Sequence, residues 1–201
     1  MHLLHLSDSH NQHRSLENLP EADIIVHSGD FSFAGTRAEF LDFLNWFLGL
    51  DYQHKIFIGG NHDYFLEGKS QKDIQKMLPK NCHYLFHSGV TIENIKFWGV
   101  PMFVSEDIDG SYFRKIKRIP KNTDILISHN PPFGILDLDG KINFVCKSLG
   151  EKIVEIKPKF HLFGHIHNAF GIEKSKHTTF SNASILNGNY EFQNLPNIFV
   201  V

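Results

Sequence analysis

The chain has 201 residues, 41% hydrophobic and 21% charged, with a formal net charge of -2. That length suits one domain with a substantial core, and the scattered, balanced charge offers no stripe along which a nucleic acid would track, so such a partner is not expected. No run of about 18 apolar residues is present to span a membrane, and the start, MHLLHLSD, lacks the basic flank and long apolar core of a secretion signal, so a cytoplasmic location is expected.

No repeat, low-complexity tract or linker divides the sequence, so residues 1–201 are expected as a single domain. In chain order, the first apolar run is His2–Leu6 and the second Asp23–His27, each short enough for a strand and apolar enough to be covered on both faces. Thr36 and Glu39 then form a capping box. Phe40, Leu41, Phe43, Leu44, Phe47 and Leu48 follow at helical spacing and predict a helix with a broad apolar face. A third strand, Lys55–Ile58, precedes a short helix from about Ser70 to Met77 that ends before Pro79. Gly89 to Val100 reads as two strands around a Glu93-Asn94 turn.

Asp124–Ser128 is the next strand, and a helix from about Asn143 to Ile156 is expected to bury Phe144, Val145, Leu149, Ile153 and Ile156 before Pro158 stops it. Phe160–Phe163, HTTFSNAS and NIFVV supply later strands. Alternation of strands and helices mixed with hairpins points to an α/β fold with partly antiparallel sheets. Cys82 and Cys146 lie outside any C-x-x-C spacing and fit a core in a reducing compartment, and Arg114, Lys115, Lys117 and Arg118 fit a solvated helix face.

The chemistry follows the strands. SDSH leaves the first run, SGD the second, GGNHD the third, SHNPP the fourth and GHIH the fifth. Loops after the carboxyl ends of parallel strands gather at one sheet edge, where ligands bind. Those exits carry Asp8, His10, Asp30, Asn61, His62, Asp63, His129, His165 and His167, an inventory of oxygen and imidazole donors without a thiolate that suits two divalent ions. Each residue alone has an ordinary reading as a cap, a turn residue or a hydrogen-bonded loop histidine. Five exits with the same chemistry do not.

The ordered set DSH, GD, GNHD, SH and GHIH resembles the signature of the calcineurin-like metallophosphoesterases, over Asp8 to His167. GDFS, SHNPPFGILD, GHIHNAFG and SNASILNGNY further resemble a small subgroup related to class III cyclic-nucleotide phosphodiesterases and to a vertebrate brain phosphodiesterase-like group. The resemblance implies a four-layer α/β/β/α sandwich of two mixed sheets flanked by helices. It implies that Asp8, His10 and His167 hold one metal, that Asn61, His129 and His165 hold the other, and that Asp30 bridges them. Manganese is the first choice, with zinc or iron behind it.

His62 falls outside the ligand pattern, and the resemblance makes it the group that protonates the departing oxygen while a metal-bridging hydroxide attacks. Gly59 and Gly60 are expected to allow a sharp turn close to the phosphate. Asp63 is expected to position His62 or cap the next turn. Asn11, His13, Arg14, Phe31 and Phe33 flank the ligands and are candidates for the substrate mouth, although burial is the commoner fate of phenylalanine. His5 and His27, inside strands, read as supporting or core residues.

The expected activity is hydrolysis of a small phosphoester by a phosphodiesterase, cyclic nucleotides being one substrate. A phosphomonoesterase, a dinucleotide polyphosphate hydrolase and a non-catalytic scaffold are the alternatives.

Overall fold

A computed structural model describes residues 1–140, 142–143 and 146–201. The chain first lays down β1 (His2–Leu6), β2 (Ile24–His27), α1 (Arg37–Gly49), β3 (His54–Phe57), α2 (Gln71–Gln75) and β4 (Cys82–Tyr84). It then crosses to a second sheet through the hairpin β5 (Ser88–Ile92) and β6 (Ile95–Val100), followed by α3 (Val104–Ile108), α4 (Ser111–Ile116) and β7 (Ile125–Ser128). A ribbon of β8 (Leu138–Asp139) and β9 (Ile142–Asn143), then α5 (Lys147–Ile156), β10 (Phe160–Phe163), β11 (Gly171–Lys174), β12 (Thr179–Asn182) and β13 (Asn197–Val200) complete it.

The first sheet has the order β13-β1-β2-β3-β4 and the second β11-β12-β10-β7-β6-β5. β13, β11 and β5 pair antiparallel at sheet edges, while the interior neighbours run parallel. Alternation along the strands sorts the side chains into three layers. Leu3, Ile24, Val26 and Ile56 from one sheet meet Phe97, Ile125, Ile127 and Leu162 from the other. Leu4, Ile25 and Phe57 face outward onto Phe40, Phe43, Leu44 and Phe47 of α1. Leu126 and Phe163 face outward onto Tyr112 and Ile116 of α4 and Leu149, Ile153 and Ile156 of α5. Two mixed sheets back to back, each covered by helices, are the expected sandwich.

Local rules place most of the elements. Thr36 accepts the Glu39 N–H while Glu39 reaches back to the Thr36 N–H, so both halves of the capping box form. Glu93 and Asn94 turn with φ of +47° and +65°, the handedness that matches a two-residue hairpin to strand twist. The helix expected from about Asn143 starts later, at Lys147, because Asn143 instead pairs with Leu138 in the β8–β9 ribbon. Phe144 and Val145 lie outside the described residues. Strand β4 and the short helix α3 are not anticipated by the periodicity, whereas α4 carries Arg114 and Lys115 of the basic cluster expected on a helix face.

Candidate metal centre

The five exits do gather. Asp8 and His10 follow β1, Asp30 follows β2, and Asn61 and His62 follow β3; His129 follows β7, and His165 and His167 follow β10. The cluster therefore straddles the two sheets at their shared carboxyl edge. Asp8, His10 and His167 bring one donor atom each to within 4.8 Å of one another, and so do Asp30, His129 and His165. Asp30 Oδ2 lies 3.2 Å from His129 Nε2 and 3.8 Å from His10 Nε2, so one carboxylate oxygen faces an imidazole from each cluster. Asn61 Oδ1 stands 3.1 Å from His129 Nε2.

The outer edges of these rings decide which nitrogen is available. Nδ1 of His10 bonds the Ser32 carbonyl at 3.0 Å, Nδ1 of His129 the Ser28 carbonyl at 3.0 Å, and Nδ1 of His167 the Asn187 carbonyl at 2.9 Å. A carbonyl only accepts, so each Nδ1 carries the hydrogen and each Nε2 is left to face inward. This is how metal-binding imidazoles are commonly oriented. The Nε2 atoms of His10 and His167 stand 3.2 Å apart, and as neutral rings they would point lone pairs at each other. A cation between them removes that conflict, so the residues present fit a metal.

Charge is balanced inside the cluster. Burial pushes the Asp8 carboxyl up, but the hydrogen bond from His167 and the nearby charges of His129, His167 and His10 outweigh it and hold the pKa well below the usual carboxylate range. Asp30 is likewise opposed by burial and carried down to about 2 by His129 and His10. Burial lowers His10 and His165 to about 4 each, whereas Asp30 overcomes burial at His129 and raises it to about 9.

Buried hydrogen bonds hold the carboxylates. Asp8 accepts the His165 N–H at 3.0 Å and the Ser184 hydroxyl at 2.7 Å, and Asn182 ties the same loop down by donating to the Ile166 carbonyl at 2.8 Å. Asp30 Oδ1 accepts the His62 N–H at 2.8 Å. His62 is partly exposed, and its Nδ1 donates to the Phe33 carbonyl at 2.8 Å. Its ring also lies close enough to His10 and Asp30 to form a third donor group. Ser184 and Asn182 have no role assigned from sequence, although both lie in the SNASILNGNY stretch that resembles the phosphodiesterase-like subgroup.

Several flanking residues sit elsewhere than expected. Asp63 neither touches the His62 ring nor caps the following turn. Its Oδ2 accepts the N–H groups of Asp30 and Gly60, and its Oδ1 accepts the N–H and hydroxyl of Ser32, joining the loops after β2 and β3. Gly60 has no left-handed backbone; a Cβ there would lie 2.7 Å from His129 Cε1 and collide with Asp30, so close packing accounts for it. His13 is buried and bonds Asp42, and Arg14 pairs with Asp42 at 2.6 Å, both turned from the mouth toward α1. Asn11 donates to Glu39.

Phe31 stacks on Phe43 at 4.1 Å in the core, while Phe33 is 50% exposed beside His62. His5 bonds Ser181 at 2.8 Å and Ser28 at 2.9 Å, and His27 bonds Ser9 at 3.0 Å, all buried beneath the ligand loops. A cavity of about 170 Å³ lined by His165, His167, Asn168 and Tyr190 adjoins the cluster. The larger cavity, about 720 Å³ between Phe133, Val154 and Phe180, contains none of these donors, so chemistry rather than size marks the site.

A family model described as calcineurin-like phosphoesterase matches residues 1–169. The chain belongs to that family. Human metallophosphoesterase domain-containing protein 1 is similar at 31% identity over 223 residues, covering 95% of this chain and 68% of that protein. UPF0046 protein K07C11.7 of Caenorhabditis elegans is similar at 29% identity over 216 residues, covering 98% and 73%. The crystal structure of TT1561 of Thermus thermophilus shares the fold with a TM-score of 0.66 at 11% identity, covering 91% of this chain and 88% of that one. Membership in the calcineurin-like phosphoesterases makes the chain a metal-dependent phosphoester hydrolase in general class. Among the described residues, no helix is long and apolar enough to cross a membrane.

Proposed function

We propose that the chain is a binuclear metal-dependent phosphodiesterase acting on small phosphodiesters such as cyclic nucleotides. The observation that carries this reading is the inward convergence of imidazole Nε2 atoms whose Nδ1 hydrogens are engaged by backbone carbonyls, around two buried carboxylates. Asp8, His10 and His167 would hold one ion and Asn61, His129 and His165 the other, with Asp30 shared. Oxygen and imidazole donors suit manganese first, and zinc or iron next. Such ions, when bound, supply Lewis acidity that acidifies water and offsets phosphoryl charge.

The chain's own residues do the rest. With Nδ1 committed to the Phe33 carbonyl, His62 has Nε2 left to hold a proton and pass it to the departing alkoxide. Its N–H on Asp30 Oδ1 couples the acid to the shared carboxylate and leaves Oδ2 facing His10 and His129. The diester reading is supported by the side-chain charges. The groups acting most strongly on Asp8, His10, Asp30, His165 and His167 are histidines and aspartates, with no lysine or arginine among them. Beyond the ions themselves, none of these groups is a permanent side-chain cation that would meet the second charge of a monoester, which suits a singly charged diester. The buried free thiols of Cys82 and Cys146 suit a reducing cytoplasm.

The test compares bis(p-nitrophenyl) phosphate with p-nitrophenyl phosphate in manganese, zinc and ferrous iron, then 2′,3′- and 3′,5′-cyclic nucleotides. A higher kcat/KM for the diester is expected. Preference for the monoester would shift the reading to a phosphomonoesterase, and inactivity toward every substrate in every metal would shift it to a non-catalytic scaffold.

A further inference from the structure

Two large aromatic side chains stand half in solvent at the rim of the metal centre, where their burial elsewhere would have been more stabilising. Phe33 is 50% exposed and Tyr190 39% exposed. Their rings meet edge to face, 5.5 Å apart and inclined at 80°, which makes an open corner rather than a closed plug. The corner borders the reacting groups directly: Tyr190 lies 5.0 Å from the His10 ring and 5.1 Å from the His167 ring, and Phe33 lies 6.0 Å from the His62 ring.

Both walls are tied to the imidazoles through backbone. The Phe33 carbonyl accepts from His62 Nδ1, so the backbone that carries this ring is anchored to the proposed acid. The Asn187 carbonyl accepts both His167 Nδ1 and the Tyr190 N–H at 2.9 Å each, and Gln12 donates to the Tyr190 carbonyl at 2.7 Å. Tyr190 is held at φ +61°, a left-handed conformation that costs a tyrosine free energy and that this network maintains. A strained, exposed ring fixed beside the metal ligands is suited to contact a substrate.

We propose that Phe33 and Tyr190 are specificity-determining residues whose corner takes a planar unsaturated ring on the ester group that departs past His62, so that nucleoside phosphodiesters are favoured over alkyl ones. The inference rests on the phosphodiesterase reading. One ring offers its face for stacking and the other closes on the edge of the base, a contact that tolerates any nucleobase because each presents a π-face.

Binding of products separates this inference from the reading beneath it. In metal-loaded protein, titration calorimetry with AMP, ribose 5-phosphate and phosphocholine should show AMP binding about 5- to 50-fold more tightly than ribose 5-phosphate. Phe33→Ala with Tyr190→Ala should abolish that ratio, and Phe33→Tyr with Tyr190→Phe, which keeps both rings, should restore it. Equal binding of AMP and ribose 5-phosphate by the wild-type protein, an undiminished ratio in the double alanine variant, or tighter binding of phosphocholine than of AMP would each overturn the proposal. Absence of hydrolysis of any diester would defeat the phosphodiesterase reading while leaving the AMP ratio to be measured.

Discussion

Asp63→Ala tests how the two central loops are held together. The side chain is buried and accepts three backbone N–H groups, from Asp30 at 2.9 Å, Gly60 at 2.8 Å and Ser32 at 3.0 Å, besides the Ser32 hydroxyl at 2.7 Å. The hydroxyl has a second acceptor in the His62 carbonyl at 3.0 Å, so its loss matters little. Each stranded backbone donor costs about 1–3 kcal/mol; water entering the vacated space recovers part of it, and so does relief of the burial and Asp30 repulsion that push the Asp63 pKa up to about 7, which leaves a net loss of about 2–4 kcal/mol. That is a large part of the roughly 5–15 kcal/mol typical of a domain. Asp63→Asn keeps one oxygen and relieves the same charge but turns an NH₂ toward a donor, and should lose about 1–3 kcal/mol. Urea unfolding with a metal chelator present measures both without a contribution from bound ions. A loss below about 1 kcal/mol for Asp63→Ala would show that the loops do not depend on this carboxylate.

His62→Ala should keep its full metal content by elemental analysis while turnover of a diester with a poor leaving group falls about 10²- to 10⁴-fold; loss of both metals would make His62 a ligand instead. His5→Phe removes the bonds to Ser181 of the second sheet and to Ser28, whose carbonyl orients His129, and should weaken manganese binding about 10- to 100-fold by calorimetry; unchanged affinity would refute the link. At Glu39, burial opposes ionisation, but hydrogen bonds from Thr36, Ala34 and Asn11 win and bring its pKa to about 2. A depressed carboxyl stabilises the fold above its unfolded value and loses that contribution as pH falls through the folded one. Glu39→Gln should therefore cost about 1 kcal/mol at pH 7 in thermal melts, with the gap from wild type closing between about pH 4.5 and 2; a gap that persists at pH 2 would contradict the charge dependence.

The strand exits were legible because a parallel sheet sends successive loops to one edge, so Asp8, Asp30, Asn61, His129 and His165 could be gathered without coordinates. What happens between loops was not. Asp63 reads as a local cap because its partners, Asp30 and Ser32, lie more than thirty residues away, and no period encodes that meeting. Phe31 and Phe33 are two residues apart with the same side chain, yet one stacks in the core and the other lines the rim. Arg14, placed near the mouth by adjacency, is drawn away by Asp42 on α1. Tyr190 ends the SNASILNGNY stretch, but its place at the rim is not encoded there, because it depends on a turn-rich segment folding back over His10 and His167.

Local propensity is broken where the donors are. Asp8, His10, Asn11, Asp30 and His165 all take positive φ, between +39° and +71°, a region in which side chains other than glycine lose free energy and histidine gains less local relief than aspartate or asparagine. The strain is held by bonds between loops: Asp8 N–H to the Gly29 carbonyl at 3.0 Å, His10 N–H to Asp30 at 3.1 Å, Asn11 N–H to Phe31 at 2.9 Å, and His165 N–H to the Asp8 carboxylate. Each loop thus stabilises the unfavourable backbone of its neighbour, and none can relax alone. Glycine would relieve every one of these positions, but it carries no carboxylate or imidazole, nor the amide with which Asn11 bonds Glu39. The chemistry of the centre therefore accounts for residues that conformation opposes, and the mutual bonding that offsets the cost also fixes the donors in space.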